Sequence, residues 1–251
     1  MFCIHPRSAS RSFLLGLILP LVALACNRDP STTLAPRALS LSRGRNPNPR
    51  IIPPNARYDG LTYGEWLAKS FQLANANPVP VNSLFLGNED KLPIGQPEHL
   101  WILQSATAPP QERHFTVPAG KALYIVIITW ESDNFLCSEP DMNLTIPELR
   151  ALAKSIVDGF GPFQVEVDGR PVEDVAQYRA TSPVFSSTLP DNNILQYFGC
   201  ADALPGTYGP MVADGYALIL PPPSVGEHII RESFQNFGDL VWHITVVPRR
   251  P

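Results

Sequence analysis

Residues 113–130 read RHFTVPAGKALYIVIITW, and this stretch decides the fold class. It holds two runs of β-branched, aromatic and aliphatic residues, which are the residues that favour strands. Pro118, Ala119 and Gly120 separate the runs, and proline and glycine at such a position favour a change of chain direction. The stretch therefore predicts two strands joined by a short turn.

Similar short strand patterns continue on both sides of this stretch. They are HLWILQS (99–105), FQVEVDGRPVEDV (163–175), DGYALILPPPSVGEHIIRESF (214–234) and DLVWHITVV (239–247). Asp168 and Gly169 predict a tight hairpin turn in the second of them. About nine short strands are expected, and strands of this spacing favour a sandwich over alternating parallel strands and helices. The sequence therefore predicts a mainly β fold, an antiparallel β-sandwich of jelly-roll or immunoglobulin-like type.

Two segments with helical periodicity accompany the strands. They read LTYGEWLAKSFQLA (61–74) and LTIPELRALAKSIVDG (144–159). Each begins with a threonine followed three residues later by a glutamate, which is the spacing of a capping box. The pairs are Thr62 with Glu65 and Thr145 with Glu148. Two α-helices are therefore expected near residues 63–75 and 146–158, at the periphery of the sandwich.

The N-terminal stretch RSFLLGLILPLVALACNRDP (11–30) contains an uncharged apolar run. As a helix, this run would reach about 22 Å, which is short against a hydrocarbon core of about 30 Å. A basic start, a short apolar run and small residues at its end indicate an export signal. Leu24-Ala25-Cys26 resembles a lipobox, which predicts acylation of Cys26 and a membrane tether. Cleavage without lipidation and a retained membrane anchor are the alternatives.

The chain divides into three parts by composition. Residues 1–25 are the signal peptide or N-terminal membrane anchor, residues 26–60 a tether linker rich in proline and arginine, and residues 61–251 the β-sandwich domain. The last part carries 11 basic and 21 acidic side chains. This acidic excess argues against a nucleic-acid partner, because nucleic acids bind basic surfaces. The export signal and the lipobox-like Leu24-Ala25-Cys26 predict that the protein lies on the periplasmic side of the bacterial envelope, tethered to the membrane.

Two cysteines, Cys137 and Cys200, lie in the predicted domain. Exported proteins meet an oxidising compartment, in which cysteines usually pair. A disulfide between Cys137 and Cys200 is therefore expected, with two free buried thiols as the alternative.

Six motifs are distributed over residues 58–247 and carry a resemblance. They are YGEWLAKSFQ, VPAGKALYIVII, ELRALAKSIVDG, VEVDGRPV, SPVFSSTLPDNN and DGYALILPPPSVGEH. On these motifs the chain resembles a family of uncharacterised exported bacterial proteins. The resemblance implies export, and it brings no assigned activity and no catalytic residues.

No catalytic or metal-binding motif is found in the sequence. The histidines show no close ligand spacing, although a zinc or copper site assembled across strands remains an alternative. Four carboxylates crowd in WESDNFLCSEPDMN (130–143) and are candidates for calcium binding or acid–base chemistry. They are Glu131, Asp133, Glu139 and Asp141. Because their spacing fits no calcium loop, the sequence predicts no metal site, no cofactor and no catalytic residue.

Three functions are compatible with these features. The favoured one is a non-catalytic accessory or stabilising subunit, docked on a membrane-embedded complex of secretion, transport, respiration or photosynthesis. The first alternative is a lipoprotein that binds a glycan or small ligand through exposed aromatic side chains. The candidate aromatics are Trp101, Trp130, Tyr197, Phe198 and Tyr208. The second alternative is a hydrolase that uses the acidic loop.

Overall fold

The two runs of residues 113–130 form two strands, and these strands belong to different sheets. The structure is a computed structural model, and it describes residues 47–48, 50–85, 95–104, 111–135 and 143–249. The strands are β1 (Leu100–Leu103), β2 (Gln111–Pro118), β3 (Ala122–Ser132), β4 (Phe163–Val167), β5 (Arg170–Pro171), β6 (Arg179–Thr181), β7 (Phe185–Leu189), β8 (Gly206–Leu220), β9 (Gly226–Phe234) and β10 (Gly238–Val247). The helices are α1 (Tyr63–Ala76), α2 (Ile146–Asp158) and α3 (Ile194–Tyr197).

The strands form two mixed sheets. Sheet A has the order β1-β3-β8-β6, with β7 also paired to β8, and sheet B has the order β2-β10-β9-β4-β5. The fold is mainly β, a sandwich with peripheral helices, as the sequence predicts. Each sheet contains one parallel pair, β1 with β3 and β2 with β10, while its other pairs are antiparallel. The parallel pairs arise because the chain changes sheet between the paired strands.

The two sheets differ in how their faces are covered. Strand β3 is buried along nearly its whole length, because helix α2 packs on it and on β8, and α1 packs on β6, β7 and β8. In sheet B, β2, β4 and β9 alternate buried and exposed residues, which is the pattern of a sheet with one solvated face. The main core lies between the two sheets and includes Tyr124 and Leu218 from sheet A and Ile230 and Trp242 from sheet B. A second cluster of buried side chains joins α1 to β7 and to the first half of β8.

The two long helices lie where the capping boxes predict them. The Glu65 carboxylate accepts the Thr62 backbone N–H at 2.7 Å, and the Glu148 carboxylate accepts the Thr145 backbone N–H at 2.8 Å. Each bond satisfies a donor that the first helical turn would otherwise leave unpaired. The short helix α3 is not predicted, because four residues are too few to show a helical period.

Some residues at the end of the predicted linker, 26–60, contact the sandwich. Ile51 is buried, and the Ile52 backbone N–H donates to the Ile219 carbonyl at 2.9 Å. The Asn48 side-chain amide donates to the Glu173 carbonyl at 2.8 Å. Asn48, Ile51 and Ile52 therefore contact the sandwich, and the two isoleucines supply apolar surface that a solvated linker lacks.

Among the described residues, none of the helices is both long enough and apolar enough to cross a membrane. The predicted signal or anchor, residues 1–25, and Cys26 lie outside these residues.

Candidate functional site

A cleft of about 360 Å³ opens where the ends of the two sheets meet. We call it the proline cleft, because residues 221–223, all prolines, line one of its walls. Four buried aliphatic side chains line its floor: Leu123 and Leu220 from sheet A, Val167 and Ile230 from sheet B. Four polar side chains complete the lining: Arg50, Asp168, Ser224 and His228.

The local sequence explains why these groups converge. Strand β8 ends at Leu220, since the three prolines that follow have no backbone N–H to donate to a ladder. Asp168 and Gly169 adopt φ of +51° and +69°, the combination that a type I′ hairpin turn requires. The pairing of Val167 with Ile230 then places this turn beside the start of β9, where the Asp168 N–H donates to the Ile229 carbonyl at 2.8 Å.

His228 connects the hairpin turn to the proline loop. Its Nδ1 lies 3.0 Å from Asp168 Oδ2, and its Nε2 lies 2.9 Å from the Ser224 carbonyl oxygen. Burial opposes a positive charge on this ring, but the hydrogen bonds to Asp168 and Ser224 outweigh it and raise the pKa of His228. Because both ring nitrogens face acceptors, the geometry fits a protonated imidazolium that donates at both ends.

The three side chains Ser224, His228 and Asp168 are those of a catalytic triad, but their geometry differs from one. Ser224 Oγ is 3.4 Å from His228 Nε2, and a triad needs that nitrogen unprotonated to take the serine proton. Here Nε2 instead points to a carbonyl oxygen at 2.9 Å. The adjoining prolines also have no backbone N–H groups for an oxyanion hole. The arrangement therefore suits binding of a charged group better than nucleophilic attack.

The rim of the cleft combines the Arg50 guanidinium and the His228 imidazole with one carboxylate, that of Asp168. Arg50 Nη1 lies 3.7 Å from Asp168 Oδ2, and 57% of the Arg50 side chain is exposed. Its guanidinium can therefore turn toward a ligand without leaving a buried site. With His228 protonated, the rim carries a local positive charge in a domain with an acidic excess. It offers an anionic group the Arg50 guanidinium as a hydrogen-bond donor, while His228, whose two ring nitrogens are already hydrogen-bonded, contributes its charge.

The acidic loop is assembled only in part within the described residues. Glu131 is buried on β3, and its Oε1 has no hydrogen-bond partner in the described part of the chain. Burial, together with the neighbouring Asp133, raises the pKa of Glu131 well above its usual value. A protonated, buried carboxyl is a poor calcium ligand, because calcium binds ionised oxygens. Glu139 and Asp141 lie outside the described residues.

Cys200 is buried and disulfide-bonded. Cys137, its predicted partner, lies outside the described residues, so the pairing of these two cysteines stays a prediction.

The five candidate aromatics do not form a flat stacking row. Trp101 is buried, with the Lys121 ammonium 5.8 Å from its ring, and Trp130 packs against the core. Tyr197 and Phe198 are neighbours, but their rings stand nearly perpendicular, at 83°. Tyr208 uses its hydroxyl to donate to the Leu204 carbonyl at 2.9 Å. These residues therefore give little support to stacking on a sugar.

Sequence reasoning gave no functional role to the four polar residues of the cleft. It used Asp168 only as a turn residue and placed His228 inside a strand. The pairing of β4 with β9 brings Asp168 to His228, and the contact of Ile52 with Ile219 brings Arg50 to the same end of the sheets; no local pattern shows either. On sheet B the described residues also bring together three side chains of types that can ligate a metal, namely Glu112, His114 and His243.

Comparison with known proteins gives no match, whether with protein-family models, with curated proteins or with solved structures. The candidate site therefore stands on its own geometry.

Proposed function

We propose that this chain is a non-catalytic, membrane-tethered protein of the bacterial envelope, and that its sandwich binds a small amphipathic anion in the proline cleft. The supporting observation is the position of Arg50 and the doubly hydrogen-bonded His228 beside an apolar floor. A carboxylate or phosphate meets the cations, and an aliphatic portion packs on the prolines.

The dimensions of the cleft agree with this class of ligand. A volume of about 360 Å³ falls in the range of small-molecule sites, which are mostly apolar with a few placed polar groups. Arginine presents a planar fork that matches a carboxylate in two parallel hydrogen bonds. The floor supplies affinity through burial of aliphatic carbon, and the rim selects for negative charge.

A pair of matched probes tests the proposal. Octanoate and octanol share an aliphatic chain but differ in charge, so calorimetry on the mature chain at pH 6 should show tighter binding of octanoate. Arg50→Ala should weaken octanoate binding about tenfold and leave octanol unchanged, as expected for one lost charge-assisted contact. Arg57→Ala is the control, because Arg57 is equally exposed but pairs with Glu65 outside the cleft. Equal affinity for both probes would contradict an anion site.

A second candidate function is the accessory subunit docked on a membrane-embedded complex. The segment around α3 favours it, because Tyr197 is 58% exposed and Leu204 is 59% exposed. Large apolar side chains kept in solvent at this level are typical of protein contact surfaces when they cluster.

Site-specific photo-crosslinking in native membranes tests this second candidate. A photoreactive residue at Leu204 should capture one subunit of a membrane complex, and Leu204→Lys should release the protein from that complex. The same probe at Glu227, an exposed acidic position on β9, is the control. Equal capture from both positions would speak against a specific docking surface.

A further inference from the structure

The parallel pairing of β2 with β10 brings two histidines together. In this register His243 lies directly opposite His114, and Val241 lies opposite Glu112. The two imidazole rings are stacked, with centroids 4.5 Å apart and planes 8° apart. Glu112 and His114 are two residues apart on one strand, so both side chains point to the solvated face of sheet B.

One ring nitrogen of this group has no hydrogen bond within the described residues. His243 Nε2 is buried and lacks a hydrogen-bond partner within the described residues. It lies 3.6 Å from a Glu112 carboxylate oxygen, which is beyond hydrogen-bond distance. A buried nitrogen that faces a carboxylate without a bond marks a place where a positive ion would satisfy both groups.

We propose that Glu112, His114 and His243 bind one divalent transition-metal ion, with Zn²⁺ as the ion that the ligand set fits best. Two imidazole nitrogens and a carboxylate oxygen are a ligand set that proteins use for zinc, and imidazole also binds copper and nickel. Three protein ligands leave one coordination position for water or for a ligand. The site is separate from the proline cleft and does not depend on the proposed function.

The three ligand atoms are close enough for side-chain rotation to bring them onto one ion. The three ligand atoms all lie within 4.8 Å of one another. Tetrahedral zinc with bonds of about 2.0–2.1 Å needs ligand atoms about 3.3 Å apart. Glu112 and His114 are exposed side chains on an edge strand, so they can rotate toward His243, the His114 ring turning out of its stack, without disturbing the core.

The sequence predicts no metal site, and the reason is the register. Glu112 and His114 lie about 130 residues from His243 in the sequence, and no ligand spacing connects them. Only the parallel ladder shows that they converge.

The test measures Zn²⁺ binding to the full mature chain, freed of metal, by calorimetry. One high-affinity site per chain is expected, and His114→Ala or His243→Ala should weaken it at least tenfold. His99→Ala is the matched control, because His99 is an exposed histidine outside the group, and this variant should bind as the wild type does. Equal binding by the wild type and His114→Ala would overturn the proposal.

Electron paramagnetic resonance with Cu²⁺ as the probe gives a second measurement, which does not depend on the variants' affinity. The wild-type spectrum should show coupling to two imidazole nitrogens, and His114→Ala should show coupling to one. A wild-type spectrum without coupling to two imidazole nitrogens would exclude the site. Because His114 is exposed on an edge strand, its replacement should leave the circular dichroism spectrum unchanged.

Discussion

Glu232 and His228 both lie on β9, four residues apart, and both carry pKa values above their usual ones. Glu232 is fully buried, and its Oε1 accepts the Trp242 indole N–H at 2.7 Å. Its Oε2 has no partner among the described residues. Burial outweighs the stabilising indole bond and raises the pKa of Glu232 to about 8. The carboxyl is therefore mostly protonated at neutral pH, because an ionised group would be too costly to bury.

Glu232 makes stability depend on pH. The unfolded chain loses this proton near pH 4.5, whereas the folded chain keeps it up to about pH 8. The folded state therefore holds more protons across this window, and the free energy of unfolding should fall as pH rises through it, by an amount on the order of 3 kcal/mol. Glu232→Gln should flatten this slope while still accepting the Trp242 N–H. Urea unfolding at pH 5, 6, 7 and 8 measures the pH dependence of the free energy of unfolding. Replacement of an exposed glutamate, Glu166→Gln, is the control. If Glu232→Gln leaves the slope unchanged, Glu232 is not the group responsible.

His228 should add a smaller dependence at higher pH. Its pKa is raised above the usual 6.5, so its stabilising hydrogen bonds are complete below pH 6.5 and weaken as pH rises through the raised value. The free energy of unfolding of the wild type should exceed that of His228→Gln by about 1–2 kcal/mol at pH 6, and this difference should shrink by pH 8.5. Thermal unfolding over this range measures it, with His99→Gln as the control. A difference that stays constant with pH would show that the imidazolium contributes nothing.

Helix α1 is fixed against sheet A by a close approach at its first turn. A Cβ on Gly64 would lie 2.3 Å from the Thr181 carbonyl oxygen, so the helix can reach this distance from β6 only with glycine there. Next to it, the Tyr63 hydroxyl donates to the Ile52 carbonyl at 2.6 Å and accepts the Ile219 N–H at 3.1 Å. The start of α1 is thus bound both to the sheet and to the segment before the helix.

Gly64→Ala should therefore destabilise the protein by about 2–3 kcal/mol, because a backbone carbonyl cannot move aside as a side chain can. Alanine favours a helix more than glycine does, so helix propensity alone would make Gly64→Ala stabilising. A net loss of stability therefore reports the clash with the Thr181 carbonyl. Chemical unfolding measures the change, with Lys69→Ala on the exposed side of the same helix expected to stay within about 0.5 kcal/mol. Equal stability of Gly64→Ala and the wild type would show that α1 does not need this close approach.

The elements that could be predicted are those with a local signal. Helices α1 and α2 follow from capping boxes and apolar periodicity, and the β4–β5 hairpin follows from Asp168-Gly169. The parallel pairs, the proline cleft and the His114–His243 pair depend on which strands meet across the chain. That choice is made by packing of the whole core, so no short stretch of sequence contains it.

At the scale of the molecule, the two sheets differ in whether helices cover their outer faces. Helices α1 and α2 cover sheet A, which leaves sheet B with a solvated face and an exposed edge at β2. Both proposed sites draw on sheet B, the metal site on its outer face and the proline cleft at its end. Because helices cover sheet A, the solvated face and the end of sheet B are the surfaces through which we expect the domain to bind a ligand or a partner.

A tether would strengthen such binding, because it holds the sandwich near the membrane and raises its local concentration there. We therefore expect the mature protein to begin at an acylated Cys26, since Leu24-Ala25-Cys26 follows an apolar run too short to span a bilayer comfortably. Mass spectrometry of the native N-terminal peptide should show two or three acyl chains, and Cys26→Ser should move the protein out of the membrane fraction or block its processing. An unmodified Cys26 in a soluble fraction would make the protein simply secreted. An intact Met1 in the membrane fraction would show that the apolar run itself is kept as the anchor.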